Sequence, residues 1–161
     1  MADDSIRERD AHRETCISQA ILQTIPVASK KPVRASTCPI NASLEVLGDR
    51  WSLLVVRDLM FAGYRTFNEF LNAGEGMATN VLTDRLAKLT DAGILTKKPD
   101  PEDGRKWLYG LTRKGLDLAP VLLELSRWGT KYEHGIPPAG VLDAYEADRA
   151  GFLGELKRRI G

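Results

Sequence analysis

The sequence is poor in the residues that build metal sites and disulfide scaffolds. Its 161 residues include two cysteines, Cys16 and Cys38, and two histidines, His12 and His134. Two cysteines are too few for a disulfide framework, and with these two histidines no close-spaced zinc quartet can be written. We therefore expect neither a metal nor a cofactor, and any chemistry at a cysteine would be redox chemistry.

The sequence also lacks a long apolar run and an excess of one charge. No stretch is apolar enough to span a bilayer, and the opening MADDSIRERD is polar and acidic where a signal peptide is basic and then apolar. The formal net charge is +1, so binding to nucleic acid would depend on a local basic surface. These features predict a cytoplasmic protein with no membrane contact.

The chain is predicted to contain one domain with an extension at each end. Residues 1–37 form an N-terminal arm, partly flexible, with a short helix around TCISQAILQTI before the linker-like PVASKKPVRAST. Residues 38–133 form the domain. Residues 134–161 form a helical extension whose apolar register would extend a dimer interface. That register consists of Leu142, Tyr145, Phe152 and Leu156.

Three helices with local start and stop signals open the domain. CPINASLEVLG begins with Pro39 in the first helical position and stops at Gly48. Asp49 can cap the next helix, RWSLLVVRDLMF. In TFNE, Thr66 and Glu69 have the spacing of a capping box, which predicts a third helix.

The fourth helix has one apolar face and one face of short polar side chains. Its sequence, ATNVLTDRLAKLTDAGIL, follows the loop NAGEGM, and Gly93 ends the helix. At helical spacing, Leu82, Leu86 and Leu89 share the face that would contact the core. With the third helix and the glycine-containing turn, this segment forms a helix-turn-helix pattern. The alternative to a ligand-binding role for the fourth helix is an exposed amphipathic helix without a ligand.

A hairpin is predicted directly after this helix. ILTKKP and RKWLYGL flank DPEDG, whose Asp-Gly pair is typical of a hairpin turn. Trp107, Tyr109 and Leu111 alternate as a half-buried strand does. A helix-turn-helix followed by a hairpin is the winged helix arrangement, so the fold class is mainly α with a β-hairpin wing and a long C-terminal dimerisation helix.

The dimerisation helix is predicted to start at Thr112, in LTRKG. Pro120 should kink this helix near Ala119 or mark a break, and Leu122 can face the domain core. Apolar residues at spacings of three and four form the seam of a short coiled coil, which predicts a homodimer. The seam is Leu118, Val121, Leu125, Trp128 and Tyr132. The alternative is a single wide stripe that is buried within a monomer.

Several separated blocks in this order carry a family resemblance: CPINASLEVLGDRWSLLVVRDLM, RTFNEF, TNVLTDRLAKLTDAGIL, YGLTRKG and LSRWG. Together they resemble the HxlR-type winged helix transcriptional regulators of bacteria, from Cys38 to about Tyr132. The resemblance implies a homodimer that binds a pseudo-palindromic double-stranded DNA operator. Many relatives have Gly-Lys before the Trp and a Ser-Pro start to the recognition helix, whereas this chain has Asp49-Arg50 and Ala78-Thr79-Asn80.

Short side chains would let the fourth helix enter a major groove, which is about 12 Å wide. We predict that Thr79, Asn80 and Thr83 contact the bases, because Asn can pair with adenine and a Thr methyl group can touch thymine. The residues predicted to contact the DNA backbone are Arg65, Thr66, Arg85, Lys88 and Arg105. Arg105 would reach a minor groove from the wing.

The wing tip also contains Asp100, Glu102 and Asp103, which phosphate would repel. We interpret these acidic residues as turn-forming residues. Between Thr79 and Gly115, eight basic residues oppose five acidic ones, so the basic surface is modest.

An enzyme is not expected, because the sequence has no phosphate-binding glycine loop and no HExxH, and NAGEGM lacks the preceding strand of a dinucleotide site. His134 is interpreted as a solvated side chain. The main alternative function is a winged helix that serves as a protein–protein interaction module without DNA readout. A steep salt dependence of DNA affinity would distinguish the two.

Cys38 is a candidate redox site. With Pro39 in the first helical position, the thiol lies beside unpaired amide donors and the positive end of the helix dipole, which favour the thiolate. The resemblance implies that some relatives respond to oxidants or electrophiles at a cysteine in this place. A purely structural cysteine is the alternative, and the sequence identifies neither a resolving partner nor a small-molecule effector.

Overall fold

The computed structural model describes residues 37–160, so the short helix and linker predicted for the N-terminal arm lie outside the described residues. The described part contains eight α-helices and one two-stranded antiparallel hairpin. The helices are α1 (Pro39–Leu47), α2 (Ser52–Arg57), α3 (Phe67–Leu71), α4 (Thr79–Asp91), α5 (Arg113–Leu116), α6 (Ala119–Tyr132), α7 (Val141–Ala147) and α8 (Arg149–Ile160). The strands are β1 (Leu95–Pro99) and β2 (Trp107–Leu111).

The predicted start signals of the first three helices are confirmed. Helix α1 begins at Pro39 and ends at Leu47, with Gly48 as its C-cap. The Asp49 carboxylate accepts hydrogen bonds from the amides of Trp51 and Ser52, at 2.8 and 3.0 Å, and so caps the start of α2. Helix α3 begins with the capping box predicted in TFNE.

Helix α2 continues into a π-helical turn, Asp58–Ala62, that ends at Gly63. Gly63 has a φ of +73°, a left-handed conformation that glycine adopts without steric cost. Val55, Val56 and Leu59 are fully buried. The second predicted helix is therefore the central element of the core.

Helices α3 and α4 form the predicted helix-turn-helix. Leu82, Leu86 and Leu89 are buried, as their spacing predicts. The residue after the C-cap of α4, Gly93, is also left-handed, with a φ of +68°, and it lets the chain turn directly into β1.

The hairpin pairs Leu95 with Leu111 and Pro99 with Trp107. Tyr109 is buried, with its ring edge-on to that of Phe70 at 6.1 Å. Trp107 lies on the same face of the strand as Tyr109 but is not buried with it, since its exposed fraction is 45%. Trp107 lies at the loop end of the hairpin, and its indole contacts the Lys97 ammonium at 4.4 Å instead.

The prediction of one long helix from Thr112 is wrong, and the expected break near Pro120 is confirmed. Thr112 caps the short helix α5, through a hydrogen bond from the amide of Gly115 to its hydroxyl oxygen. Helix α6 then starts at Ala119, with Pro120 in its first turn. Proline is tolerated there because the first-turn amides have no partner within the helix.

The C-terminal helices pack on the same core as the rest of the domain. Tyr145 and Leu156 are buried, and Phe152 is partly buried and lies edge-on to Tyr145 at 5.9 Å. Lys157 of α8 forms an ion pair with Asp117, at 2.6 Å. Tyr145 and Leu156 are therefore buried within their own chain, while Leu142 and Phe152 are partly buried, and the expected extension of a dimer interface stays a prediction.

None of the helices between residues 37 and 160 combines the length and the apolar character needed to cross a membrane.

Candidate nucleic-acid interface

The three residues predicted to contact bases lie together on one face of α4. Thr79, Asn80 and Thr83 are all exposed, and the buried leucines occupy the opposite face. The Thr83 hydroxyl donates a hydrogen bond to the carbonyl of Thr79 at 2.9 Å. Its methyl group and an oxygen lone pair remain available to a ligand. The first two turns of α4 thus present a surface of short polar side chains.

The start of α4 is open to an anion. Its N-cap residue, Ala78, supplies no side-chain hydrogen bond to the first-turn amides. These amides and the positive end of the helix dipole favour a phosphate at this position. The Ala-Thr-Asn start therefore leaves backbone donors free, whereas a Ser, Thr or Asp cap would occupy one of them.

Arg85 does not lie in the open as a phosphate contact would. One guanidinium nitrogen, Nη1, lies 2.7 Å from Oδ2 of Asp49, and Nη2 pairs with Asp84. The exposed fraction of the Arg85 side chain is 19%. The guanidinium of Arg85 thus links α4 to the start of α2, and the predicted contact of Arg85 with the DNA backbone stays a prediction.

The electrostatics of this link favour the ionised carboxylate. Burial acts to raise the pKa of Asp49, but hydrogen bonds from the Ser52 hydroxyl, two backbone amides and Arg85 outweigh it and lower the pKa. Nε of Arg85 is buried without a hydrogen-bond partner. The contact between Arg85 and Asp49 is therefore short, but it leaves one donor of the guanidinium without a hydrogen bond.

Lys88 remains exposed on α4, with its ammonium 3.1 Å from Asp84. An exposed pair of this kind is worth little, so a phosphate can replace the carboxylate as the partner of Lys88. The predicted role of Lys88 in contacting the DNA backbone is compatible with this position.

The wing tip carries a fully accessible arginine. The Arg105 side chain is 92% exposed. Asp103 accepts a hydrogen bond from the Arg105 amide at 3.2 Å, and Asp100 accepts one from the Glu102 amide at 2.9 Å. Asp100 and Asp103 thus act within the turn, as the sequence interpretation expects.

Arg65 and Thr66 join the helix-turn-helix to the wing. The amide of Tyr109 donates to the carbonyl of Arg65 at 2.8 Å, and Thr66 forms an isolated β-bridge with Leu108. The Thr66 hydroxyl donates to Glu69 within the capping box. The backbone at these two positions holds α3 and β2 in one unit, while the partly exposed Arg65 side chain keeps its guanidinium for another partner.

An apolar stripe on α6 is exposed, and it is the candidate dimer face. Its members, at spacings of four, three and four, are Val121, Leu125, Trp128 and Tyr132. The fifth predicted member, Leu118, is partly buried against the core, because it precedes the first turn of α6. Leu122 also packs on the core, as predicted. Helix α1 adds two further exposed apolar side chains, Ile40 and Leu44.

Cys38 is exposed and occupies the N-cap position of α1. Two and six residues later, the same helix exposes Ile40 and Leu44. The candidate redox site is thus next to an apolar surface. Within residues 37–160, no three His, Cys, Asp or Glu side chains are grouped as a metal site requires.

The sequence did not predict two long-range contacts of this region. Asp49 and Arg85 are 36 positions apart, and the Arg57 guanidinium reaches Glu75 in the turn of the helix-turn-helix, at 2.8 Å. No local pattern connects such pairs. The unusual Asp before Arg50 was the available signal that position 49 has a second role.

The comparisons with known proteins agree with this geometry. Residues 46–136 match the HxlR-like helix-turn-helix family. The chain is 36% identical over 95 residues to sll1512 of Synechocystis, an uncharacterized HTH-type transcriptional regulator, covering 59% of this chain and 70% of that protein. The crystal structure of PA1607, a candidate transcription factor, is 38% identical, with a TM-score of 0.56 over 65% of this chain and 70% of that one. The redox regulator HypR in its reduced form is 28% identical, with a TM-score of 0.54 over 67% of this chain and 100% of that one.

The contact between Asp49 and Arg85 can be tested by stability measurements. Arg85→Ala and Asp49→Ala should each lower the free energy of unfolding by about 1 to 3 kcal/mol. In a double-mutant cycle, the coupling should be about 0.5 kcal/mol or more. Because the folded-state pKa of Asp49 is lowered, its contribution is present above the unfolded pKa, near 3.8, and is lost as pH falls through the folded value. The stability difference between wild type and Asp49→Asn should therefore shrink below about pH 4.

The matched control is Asp91→Asn, an exposed carboxylate at the far end of the same helix. It should change stability by less than about 0.5 kcal/mol. Additive effects of Asp49→Ala and Arg85→Ala in urea unfolding would show that the two side chains do not cooperate.

Proposed function

The chain belongs to the HxlR-like helix-turn-helix family of DNA-binding transcriptional regulators, and on this basis we propose that it binds a pseudo-palindromic operator as a homodimer. The observation that carries the proposal is the short polar face of α4 beside a wing that hydrogen bonds attach to α3. A regulator of this kind acts on the chromosome, which assigns it to the cytoplasm.

In the proposed complex, α4 lies in the major groove. Thr79, Asn80 and Thr83 contact base edges, and the open amides at the start of α4 bind a phosphate. Their small size supports this role, because long side chains on the leading face would hold the helix out of the groove.

The proposed backbone contacts are Lys88, Arg105 and the Arg65 and Thr66 region. Their role is to fix the register and supply affinity without reading sequence. Arg85 acts through Asp49 instead, by holding α4 at a fixed angle to α2. Arg105 is suited to a minor groove, because its side chain is 92% exposed and its pair with Asp103 at 3.2 Å is an exposed one that a phosphate can replace.

The homodimer is proposed from the exposed stripe on α6. Four large apolar side chains on one face of a helix are costly to leave in water, and such patches mark interaction sites. A seam of two heptads is too short to associate alone, so Ile40 and Leu44 of α1 would add to the buried area. A two-fold axis through this face would relate two copies of α4, as a pseudo-palindrome requires.

We also propose that Cys38 makes DNA binding responsive to oxidants or electrophiles. The fold is similar to that of a redox regulator, and Cys38 is exposed beside Ile40 and Leu44. A thiolate that adds to a quinone would place a bulky group at this apolar surface. The adduct would then change the packing of α1 and the separation of the two recognition helices.

The test of the overall proposal is selection of bound sequences from random duplexes. A consensus with two-fold symmetry, with half-sites about 10 base pairs apart centre to centre, is the expected result. A protein that enriches no sequence, and whose weak binding depends little on salt, would instead be a protein-interaction module.

The roles within the interface predict two classes of variant. Asn80→Ala should weaken binding to the best site by about 1 to 3 kcal/mol and relax preference at one position per half-site. Lys88→Ala or Arg105→Ala should weaken binding to all sequences alike and reduce the salt slope by about one unit. Fluorescence anisotropy on a panel of duplexes measures both. If Asn80→Ala kept the wild-type preference at every position, Asn80 would not contact a base.

The dimer face predicts that Leu125→Asp abolishes association, because it would bury an unpaired charge in the seam. Sedimentation should show a folded monomer. Fluorescence anisotropy should show an operator affinity that is reduced at least about tenfold. Arg127→Asp is the matched control, since Arg127 is exposed on the same helix outside the stripe and pairs with Glu124, and it should remain dimeric. A dimeric Leu125→Asp protein would remove this stripe from the interface.

The redox proposal predicts that a quinone lowers the operator affinity of wild type and of Cys16→Ser but not of Cys38→Ser. Mass spectrometry should find the adduct at Cys38 at pH 7. Equal responses of Cys38→Ser and wild type would leave Cys38 with a structural role alone.

A further inference from the structure

A cleft with a volume of about 730 Å³ opens between α2, α6 and the segment that precedes α7. Its size is that of a site for a small organic molecule. The walls are mainly apolar and include Leu54, Phe61, Leu122 and Pro137, together with Leu125 at the edge of the proposed dimer face. It lies away from the face of α4 that we assign to DNA.

Arg57 and Asp58 form part of the cleft wall, and Glu75 pairs with Arg57 without lining the cleft itself. Asp58 begins the π-helical turn and is only 5% exposed. Its Oδ1 accepts from Nε and Nη2 of Arg57, at 2.8 and 2.7 Å, while Nη1 of Arg57 pairs with Glu75 at 2.8 Å. The cluster therefore contains one cation and two carboxylates, with a net charge of −1.

This arrangement leaves a carboxylate incompletely neutralised next to an apolar space. Hydrogen bonds from the described residues reach Oδ1 of Asp58 and not Oδ2. Burial raises the pKa of Asp58, even though Arg57 acts to lower it. A second cation near Oδ2 would stabilise the ionised form.

The same geometry disfavours an anionic ligand. Arg57 is the only cation that lines the cleft among the described residues, and its guanidinium is engaged by Asp58 and Glu75. An anion would contact the Asp58 carboxylate and would find no available cationic donor. The charge of the cluster therefore selects for a positive group.

We propose that this cleft binds an apolar small molecule that carries one ammonium group. The ammonium lies against Asp58, and an aromatic or aliphatic body packs between α2 and α6. Ser126 and Tyr64, which also line the cleft, offer hydroxyl groups to a polar substituent. This site is separate from the proposed DNA contacts, and its test uses no DNA.

Three indoles with one skeleton and different charges test the proposal on the full chain by isothermal titration calorimetry at pH 7.5. Tryptamine, the cation, should bind at least about tenfold more tightly than neutral tryptophol, and indole-3-acetate should bind more weakly still. Asp58→Asn should bring tryptamine and tryptophol to within about threefold of each other. Asp91→Asn removes an exposed carboxylate outside the cleft and should leave the preference unchanged.

A second variant tests whether binding needs the space of the cleft, independently of the charge on Asp58. Ser126→Phe would fill the space beside α6 and keep Asp58, so it should abolish binding of tryptamine and tryptophol alike, with an unchanged circular dichroism spectrum. This variant and the charge series on wild type decide the question even if Asp58→Asn does not fold. Wild type that binds no tryptamine, as it would if a second subunit covered the cleft, overturns the proposal. Equal affinity for the three indoles, or a preference retained in Asp58→Asn, would also overturn it.

Discussion

The arrangement of α4, the helix that we propose enters the DNA groove, depends on the carboxylate of Asp49. This carboxylate follows the end of α1, caps the first amides of α2 and pairs with Arg85 on α4. Two helices, α2 and α4, are thus linked by one side chain, and hydrogen bonds to an ionised group are stronger than neutral ones. Because Arg85 lies between the buried leucines and the exposed polar face, this pairing sets the rotation of α4 about its axis as well as its position.

The wing is held by a second, mainly apolar set of contacts. Phe70 of α3 lies edge-on to both Tyr64 and Tyr109, with ring centroids 6.3 and 6.1 Å apart. The backbone of Arg65 and Thr66 extends this contact into hydrogen bonds with β2. The exposed polar face and the wing therefore belong to one preorganised unit, so little conformational entropy would be lost when that unit meets a rigid partner.

Local signals predicted the helix boundaries well, and tertiary contacts account for the errors. Pro39, Gly48, Thr66 and Gly93 act on their own neighbours, so the sequence around each was sufficient. The role of Arg85 could not be predicted in this way, because its partner Asp49 lies on another element. Trp107 fits a strand pattern but lies beyond the edge of the core, and Leu118 fits the heptad spacing but precedes the helix it was assigned to. The spacing of residues along a helix or strand predicts which side chains share a face. It does not predict what that face contacts.

The break between α5 and α6 divides the winged unit, which would contact the bases, from the helix that carries the proposed dimer face. The winged unit ends in α5, where Gly115 lies so close to the carbonyl of Ile94 that an added Cβ would be 2.4 Å from it, while the apolar stripe begins beyond Leu118. Lys157 of the C-terminal helix forms an exposed ion pair with Asp117 at this junction. In the proposed dimer, the angle at the junction would set the distance between the two copies of α4, and the side chains on α4 would set the bases that they contact. Operator spacing and operator sequence can thus diverge independently among related proteins, through substitutions at different places in the chain.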